Sequence, residues 1–176
     1  MNSSATDSPL AWFHFADAYF YDAAILSAAE KPSGGFYGAP VRYLYFHAVE
    51  LYLKSYLILN GLDEKTLRHP PYSHSLAAIL QEAINRGLPS SPLVHSCCEK
   101  ALNFQQQIQQ RYVRLGATVG PNATRLHDSC AKLRTLVERE FVRAGFLPRS
   151  MPKLPLVHAH RTPSHRKLMK SLSRRD

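Results

Sequence analysis

Polar side chains form a single stripe on a strongly apolar segment, RYLYFHAVELYLKSYL, which begins at Arg42. With 3.6 residues per helical turn, four of them recur at spacings of four, three and four and share one narrow face: Tyr43, His47, Glu50 and Lys54. Histidine can move a proton near neutral pH, and a cation can stabilise negative charge on a phosphoryl group. The segment therefore contains residue types suited to cleaving or binding a phosphate ester.

Two interpretations of the stripe stay open. In the first, Arg42, His47 and Glu50 are catalytic residues of RNA cleavage, and Lys54 and His74 bind the ligand. In the second, the stripe is a hydrogen-bonded polar seam that fixes helix register or a dimer interface, with Glu50 paired to Lys54. Because Arg42 and His47 lie roughly 140° apart around a helix, they would converge only with help from a partner.

Helical periodicity dominates the rest of the chain, and prolines and glycines divide it into about five helices. The predicted helices run from Pro9 to about Glu30, Ala39 to Asn60, His74 to Arg86, Pro92 to about Leu115, and Asn122 to Ala144. No segment shows a sustained alternation of two residues, so no sheet is expected. The sequence predicts an all-α, up-and-down bundle.

The rotation of two helices and the start of a third can also be predicted. The first helix is expected to bury a face that consists of Trp12, Phe15, Tyr19, Ala23 and Leu26. The second helix is apolar nearly all round, which is typical of the central helix of a bundle. The third helix is expected to use the Ser73 side chain as its N-terminal cap.

The charge of the chain is concentrated near its C-terminus. The formal net charge is +9, and residues 148–176 contribute eight Lys or Arg and one Asp to it. Residues 1–147 therefore carry only +2 and form the predicted bundle domain. The tail contains several prolines and few large apolar residues, so we expect 148–176 to be a disordered basic segment. A nucleic-acid function for the whole domain does not follow from this charge.

Composition excludes several classes of protein. The N-terminal MNSSATDSPL has neither the basic nor the apolar region of a signal peptide, and the most apolar helix is interrupted by four ionisable residues, so a cytoplasmic protein without membrane contact is expected. Cys97, Cys98 and Cys130 form no metal-binding spacing and are expected to be free thiols. The tail histidines His158, His160 and His165 are not pre-organised for a metal. We expect neither a metal nor a cofactor.

The polar stripe and the segment after it resemble the core of HEPN-domain proteins. Two blocks carry the resemblance: HAVELYLKSYL, which ends in a glycine turn, and HSLAAIL. The matching positions are His47, Glu50, Lys54, Gly61, His74 and Leu76. The resemblance covers about residues 10–145 and implies a helical bundle, frequent dimerisation and functions that differ between members.

Some HEPN members are metal-independent endoribonucleases of toxin–antitoxin or defence systems, with an Arg-x4-6-His motif near the start of the last helix. Others bind nucleotides or act as docking modules. The last predicted helix of this chain lacks the motif, and its spacing occurs instead at Arg42 and His47 and at Arg68 and His74. We therefore predict a HEPN-like binding or regulatory module, a homodimer that binds RNA, a nucleotide or a protein partner such as an antitoxin. The alternative is an endoribonuclease that uses Arg42 and His47.

Overall fold

The computed structural model describes residues 8–29, 38–73, 75–109 and 122–157, without the side chains of 102–109. These ranges contain six α-helices and no strand. In chain order the helices are α1 (Pro9–Ala28), α2 (Gly38–Leu59), α3 (Glu64–Arg68), α4 (Leu76–Asn85), α5 (Pro92–Gln109) and α6 (Ala123–Arg143). The prediction of an all-α bundle is confirmed.

Helix α2 lies at the centre and packs against α1, α4 and α6. The Phe13 ring of α1 contacts Tyr52 of α2, and Phe20 contacts Tyr45, so α1 and α2 run antiparallel. Phe13 also contacts Phe141 near the end of α6, and Phe20 contacts His127 near its start, so α6 runs parallel to α2. Aromatic rings thus fill the space among these three helices and hold α2 in place. None of the described helices combines the length and the apolar character that crossing a membrane requires.

Local sequence explains most of the helix ends. The Asn122 side chain accepts a hydrogen bond from the backbone N–H of Arg125 and caps α6. Gly61 and Gly145 follow the ends of α2 and α6 with φ of 85° and 86°, a conformation that glycine adopts without strain. The predicted ends of these helices agree with the structure within one or two residues.

The start of α4 differs from the prediction. Ser75 caps this helix by accepting from the backbone N–H of Ala78, whereas the carbonyl of Ser73 accepts a hydrogen bond from Lys54. The short helix α3 was not predicted, because one and a half turns give no readable periodicity. Its start is fixed by Asp63, which caps the backbone N–H of Thr66.

The predicted core face of α1 is largely wrong. Phe15 and Leu26 are 54% and 43% exposed, whereas Phe13, Ala16 and Phe20 are fully buried. Because α1 is apolar nearly all round, its pattern favours no one rotation. Tertiary contacts choose the rotation, and Trp12, Phe15 and Tyr19 are left near the surface as a result.

The chain after α6 returns along the bundle. Residues 146–157, which we name the C-terminal strap, follow the last turn of α6. The Phe146 ring contacts Phe141, and Met151 and Leu154 are partly buried against the core. Of the predicted tail, residues 148–157 are thus described and touch the bundle through Met151 and Leu154, whereas 158–176 fall outside the described residues.

Candidate functional site

An open groove of about 520 Å³ lies between α1 and α2. Its lining residues are Ala11, Trp12, Phe15, His47, Glu50, Leu51 and Lys54. Helix α1 contributes aromatic rings to it, and α2 contributes three of the four residues of the polar stripe. The volume falls within the range of about 300–1,000 Å³ that is usual for small-molecule sites.

Glu50 and Lys54 form an ion pair within the wall of this groove. The Lys54 ammonium donates to Glu50 Oε1 at 2.6 Å and to the carbonyl of Ser73 at 3.3 Å. The predicted pairing at i, i+4 is thus present, although Lys54 is only 7% exposed. Burial of a charge is costly unless a partner compensates it, and Glu50 supplies that compensation.

The His47 imidazole sits within a row of aromatic rings that extends beyond the groove. The edge of the Tyr19 ring meets His47 at 4.4 Å between centroids, and Tyr43 stacks parallel to His47 at 5.8 Å. Phe15 contacts Tyr19 at 5.0 Å. These contacts fix the plane of the imidazole beside Glu50 and Lys54.

Arg42 does not line the groove with His47. Its guanidinium folds back over the first turn of α2, where a Cβ on Gly38 would come within 3.0 Å of Nη1. Partial burial lowers the pKa of Arg42 from its ordinary value. The structure thus brings His47, Glu50 and Lys54 together within one groove and leaves Arg42 one turn away from it.

The remaining predicted site residues offer no further ligand set. His74 and the tail histidines lie outside the described residues. In the part of the chain that the structure describes, no three His, Cys, Asp or Glu side chains are grouped so as to hold a metal ion. The three cysteines are free and buried, and burial raises their pKa values, that of Cys97 to about 11. They are therefore poor nucleophiles.

A second polar cluster, which sequence reasoning missed, joins α1, α2 and α6. Asp17 is 8% exposed and pairs with Arg134, with 2.8 Å between Oδ1 and Nε. The Tyr52 hydroxyl donates to the same carboxylate oxygen at 2.6 Å, and Arg134 also pairs with Glu138. The guanidinium lies over the Phe13 ring. We name Asp17, Tyr52 and Arg134 the interhelical cluster.

The interhelical cluster has one signal in the sequence. Asp17 falls among Phe13, Ala16 and Phe20, at helical spacing on the face that proves to be buried. A lone carboxylate at such a position requires a buried cation as its partner. That partner, Arg134, is 117 residues away, and no local pattern identifies it.

A third polar contact lies between α2 and α6. The Tyr45 hydroxyl and His127 Nδ1 are 3.3 Å apart, and the Cys130 thiol donates to the Tyr45 carbonyl. Burial raises the pKa of Tyr45 and lowers the pKa of His127. Burial disfavours charge on either ring, so a neutral phenol and a neutral imidazole share this contact.

The groove offers aromatic surface, a carboxylate acceptor and an ammonium donor to a ligand of moderate size. Only one of its side chains, His47, is suited to move a proton near neutral pH. This arrangement is suited to bind a planar ligand by stacking and hydrogen bonds. Comparisons with family models, with curated proteins and with solved structures find no match for this chain.

Proposed function

We propose that this chain is a HEPN-like binding module, and that its α1–α2 groove holds a nucleobase of RNA or of a free nucleotide. One observation carries the proposal: the groove of about 520 Å³ brings the Trp12 and Phe15 rings together with the Glu50–Lys54 ion pair. Apolar walls with a few placed polar groups are the usual composition of a ligand site.

The rings supply the stacking surface for a base. Phe15 is 54% exposed, so a ligand can cover its face without unfolding any part of the bundle. Stacking of one base on an aromatic side chain contributes about 1–3 kcal/mol and tolerates any base. Trp12 and Phe15 therefore supply affinity with little selectivity.

Glu50 and Lys54 supply the hydrogen-bonding edge. A carboxylate has about four acceptor positions and an ammonium has three donors, and the contacts of Lys54 to Glu50 and to Ser73 use only two of those donors. A base carries donors and acceptors side by side along its edge. The ion pair can satisfy both kinds of group at once, which favours a base over a purely apolar ligand.

The same ion pair makes it unfavourable for the groove to bind a phosphate group. The charge of Lys54 is already compensated by Glu50 at 2.6 Å, and Arg42 does not line the groove. A phosphate added to a nucleoside thus meets no uncompensated cation among the lining residues. We expect nucleosides and their monophosphates to bind within a factor of about three of each other, less than about 1 kcal/mol.

The proposal can be tested by intrinsic fluorescence, because Trp12 is the one tryptophan in the chain and lines the groove. Adenosine, guanosine, cytidine and uridine are titrated separately, each followed by its 5′-monophosphate. We expect saturable quenching of Trp12 by at least one nucleoside. Phe15→Ala should weaken that binding about tenfold, since it removes one stacking surface.

Leu26→Ala is the matched control, because Leu26 is exposed on the same helix and lies outside the groove lining. It should leave the titration unchanged. The proposal is wrong if no nucleoside or nucleotide quenches Trp12. It is also wrong if Phe15→Ala, like the control, binds as tightly as the wild type.

The alternative, an endoribonuclease that uses Arg42 and His47, stays a prediction and is tested separately. Purified protein is incubated with total RNA in EDTA beside His47→Ala and Arg42→Ala. Cleavage that both substitutions abolish would favour the enzyme over the binding module. A homodimer and a regulatory role beside an antitoxin-like partner are also proposals, which rest on the HEPN resemblance.

A further inference from the structure

The C-terminal strap is tied to the bundle at Arg149. The backbone N–H of Arg149 donates to His14 Nε2 at 3.4 Å, and its carbonyl accepts from Arg134 Nη2 at 3.5 Å. Two apolar side chains, Met151 and Leu154, hold the following residues of the strap against the core. One polar residue of α1 and one of α6 thus position the strap backbone.

The contact to His14 requires one protonation state of the imidazole. An imidazole nitrogen accepts a hydrogen bond only when it carries no proton, so Nε2 is bare and Nδ1 carries the hydrogen. Nδ1 faces Asp17 Oδ2 at 3.6 Å. A protonated imidazole has an N–H at both nitrogens. Its Nε2 hydrogen would then point at the N–H of Arg149, and the two donors would repel.

The charged groups around His14 do not offset this effect. Arg134 pairs with both Asp17 and Glu138, and Arg149 lines the same space as His14, so two acidic and two basic residues lie near the imidazole. The Asp17 carboxylate is already shared between Arg134 and the Tyr52 hydroxyl of α2, and Tyr21 of α1 also lines the space beside His14.

The proton can reach His14 from solvent. A cavity of about 250 Å³ lies between α1 and the strap, lined by His14, Asp17 and Tyr21 on one side and by residues 149–152 on the other. We propose that the strap is a pH-sensitive latch, docked on α1 and α6 while His14 is neutral and released when His14 is protonated. This inference does not depend on the α1–α2 groove.

Release would act on the most basic part of the chain. The sequence that follows the strap, 158–176, contains six Lys or Arg and one Asp. While the strap is docked, Met151 and Leu154 hold the chain against the core shortly before this basic sequence begins. After release, the preceding chain would be held only as far as the end of α6, so the latch sets how far the start of the basic sequence lies along the chain from the nearest anchored residue.

Amide hydrogen exchange of the full chain tests the latch. Protection of the Arg149 amide is compared with that of the Leu53 amide in buried α2, at several values between about pH 8 and about pH 5, where histidine titrates. After correction for intrinsic exchange, we expect Arg149 to lose protection about five- to tenfold as pH falls, as for the loss of one hydrogen bond. Leu53 should lose less over the same range.

Two variants bracket the wild type. His14→Gln offers an amide oxygen that accepts at every pH, so its strap protection should not fall with acid. Met151→Ser combined with Leu154→Ser should leave the strap unprotected at every pH and defines the released state. The latch is overturned if His14→Gln shows the same fall as the wild type, or if wild-type Arg149 is unprotected at pH 8. Should His14→Gln not fold, equal losses at Arg149 and Leu53 in the wild type would overturn it too.

Discussion

Two largely buried ion pairs in the described part of the bundle differ in the sequence separation of their partners. Glu50 and Lys54 are four residues apart on one helix, and their charges meet beside an open groove. Asp17 and Arg134 are 117 residues apart and connect α1 to α6, with Tyr52 of α2 donating to the same carboxylate. The first pair lies within α2 and reaches beyond it only through the bond from Lys54 to the Ser73 carbonyl, whereas the second joins three helices.

This difference indicates which pair is available for function. The groups of the interhelical cluster are engaged by one another and by Glu138 and the strap backbone, so a ligand there would have to break contacts that hold the fold. The Glu50–Lys54 pair lines an open groove that a ligand can enter. Charge burial alone therefore does not identify a site, and the element that holds the charge has to be considered as well.

The largest expected effect comes from Asp17→Ala. The substitution leaves Arg134 partly uncompensated and the buried Tyr52 hydroxyl without its acceptor, which should cost about 3–5 kcal/mol of unfolding free energy in denaturant melts. Asp22→Ala, an exposed carboxylate on the same helix, is the control and should change stability by less than about 0.5 kcal/mol. If the two variants lose the same free energy of unfolding, the interhelical cluster does not have this structural role.

Glu50→Ala should cost less than Asp17→Ala. Removal of one partner of a buried ion pair usually lowers the free energy of unfolding by about 3–5 kcal/mol. Lys54, however, keeps its hydrogen bond to the Ser73 carbonyl and can reach water in the groove. We expect about 1–3 kcal/mol, and less for Glu50→Gln, which retains an acceptor. The same melts decide this order. If Glu50→Ala is as destabilising as Asp17→Ala, the two pairs are equivalent and Glu50 is structural.

Acid should weaken the contact between Tyr45 and His127. Burial lowers the pKa of His127 from its ordinary 6.5, so below about pH 6.5 the unfolded chain binds a proton that the folded chain resists. The contribution of His127 is therefore complete above that pH and is lost as pH falls toward the lowered pKa. In denaturant melts between pH 8 and pH 5, the free energy of unfolding should fall more with acid for the wild type than for His127→Asn. An identical pH dependence would contradict the assignment.

The smallest effect on stability is expected on the groove side of the molecule. Tyr43 is 46% exposed and stacks on His47 without lining the groove, so Tyr43→Ser should change stability by less than about 0.5 kcal/mol. If α2 contributes to a homodimer, the variant should shift the mass in light scattering toward monomer. Val142→Ser, exposed on α6, is the control and should not. A wild type that is monomeric at micromolar concentration would contradict the dimer.

Helix existence and helix ends could be predicted because their causes are local. The cap at Asn122 and the glycines at 61, 87 and 145 act within one turn, so their positions in the sequence are sufficient. The start of α4 was harder, since two serines two residues apart can each cap a helix. The Ser73 carbonyl is instead engaged by Lys54, a contact across 19 residues.

The groove was predictable in part. The spacing of His47, Glu50 and Lys54 on one face of α2 required only the helical period, and the structure places all three along the groove. The other wall required the rotation of α1, and that prediction was wrong for Phe15. When a helix is apolar on every side, no face differs enough from the others for the sequence pattern to indicate which one is buried.

The sequence by itself determined five of the six described helices, the central place of α2 and the Glu50–Lys54 pairing, because each follows from neighbours within about one helical turn. Only the tertiary structure decided which face of α1 is buried, that Asp17 meets Arg134, and that the strap docks on His14. The physical reason is the range of the interaction. A buried carboxylate gains its stability from a cation far along the chain, and the folded arrangement of the helices determines which cation is within reach.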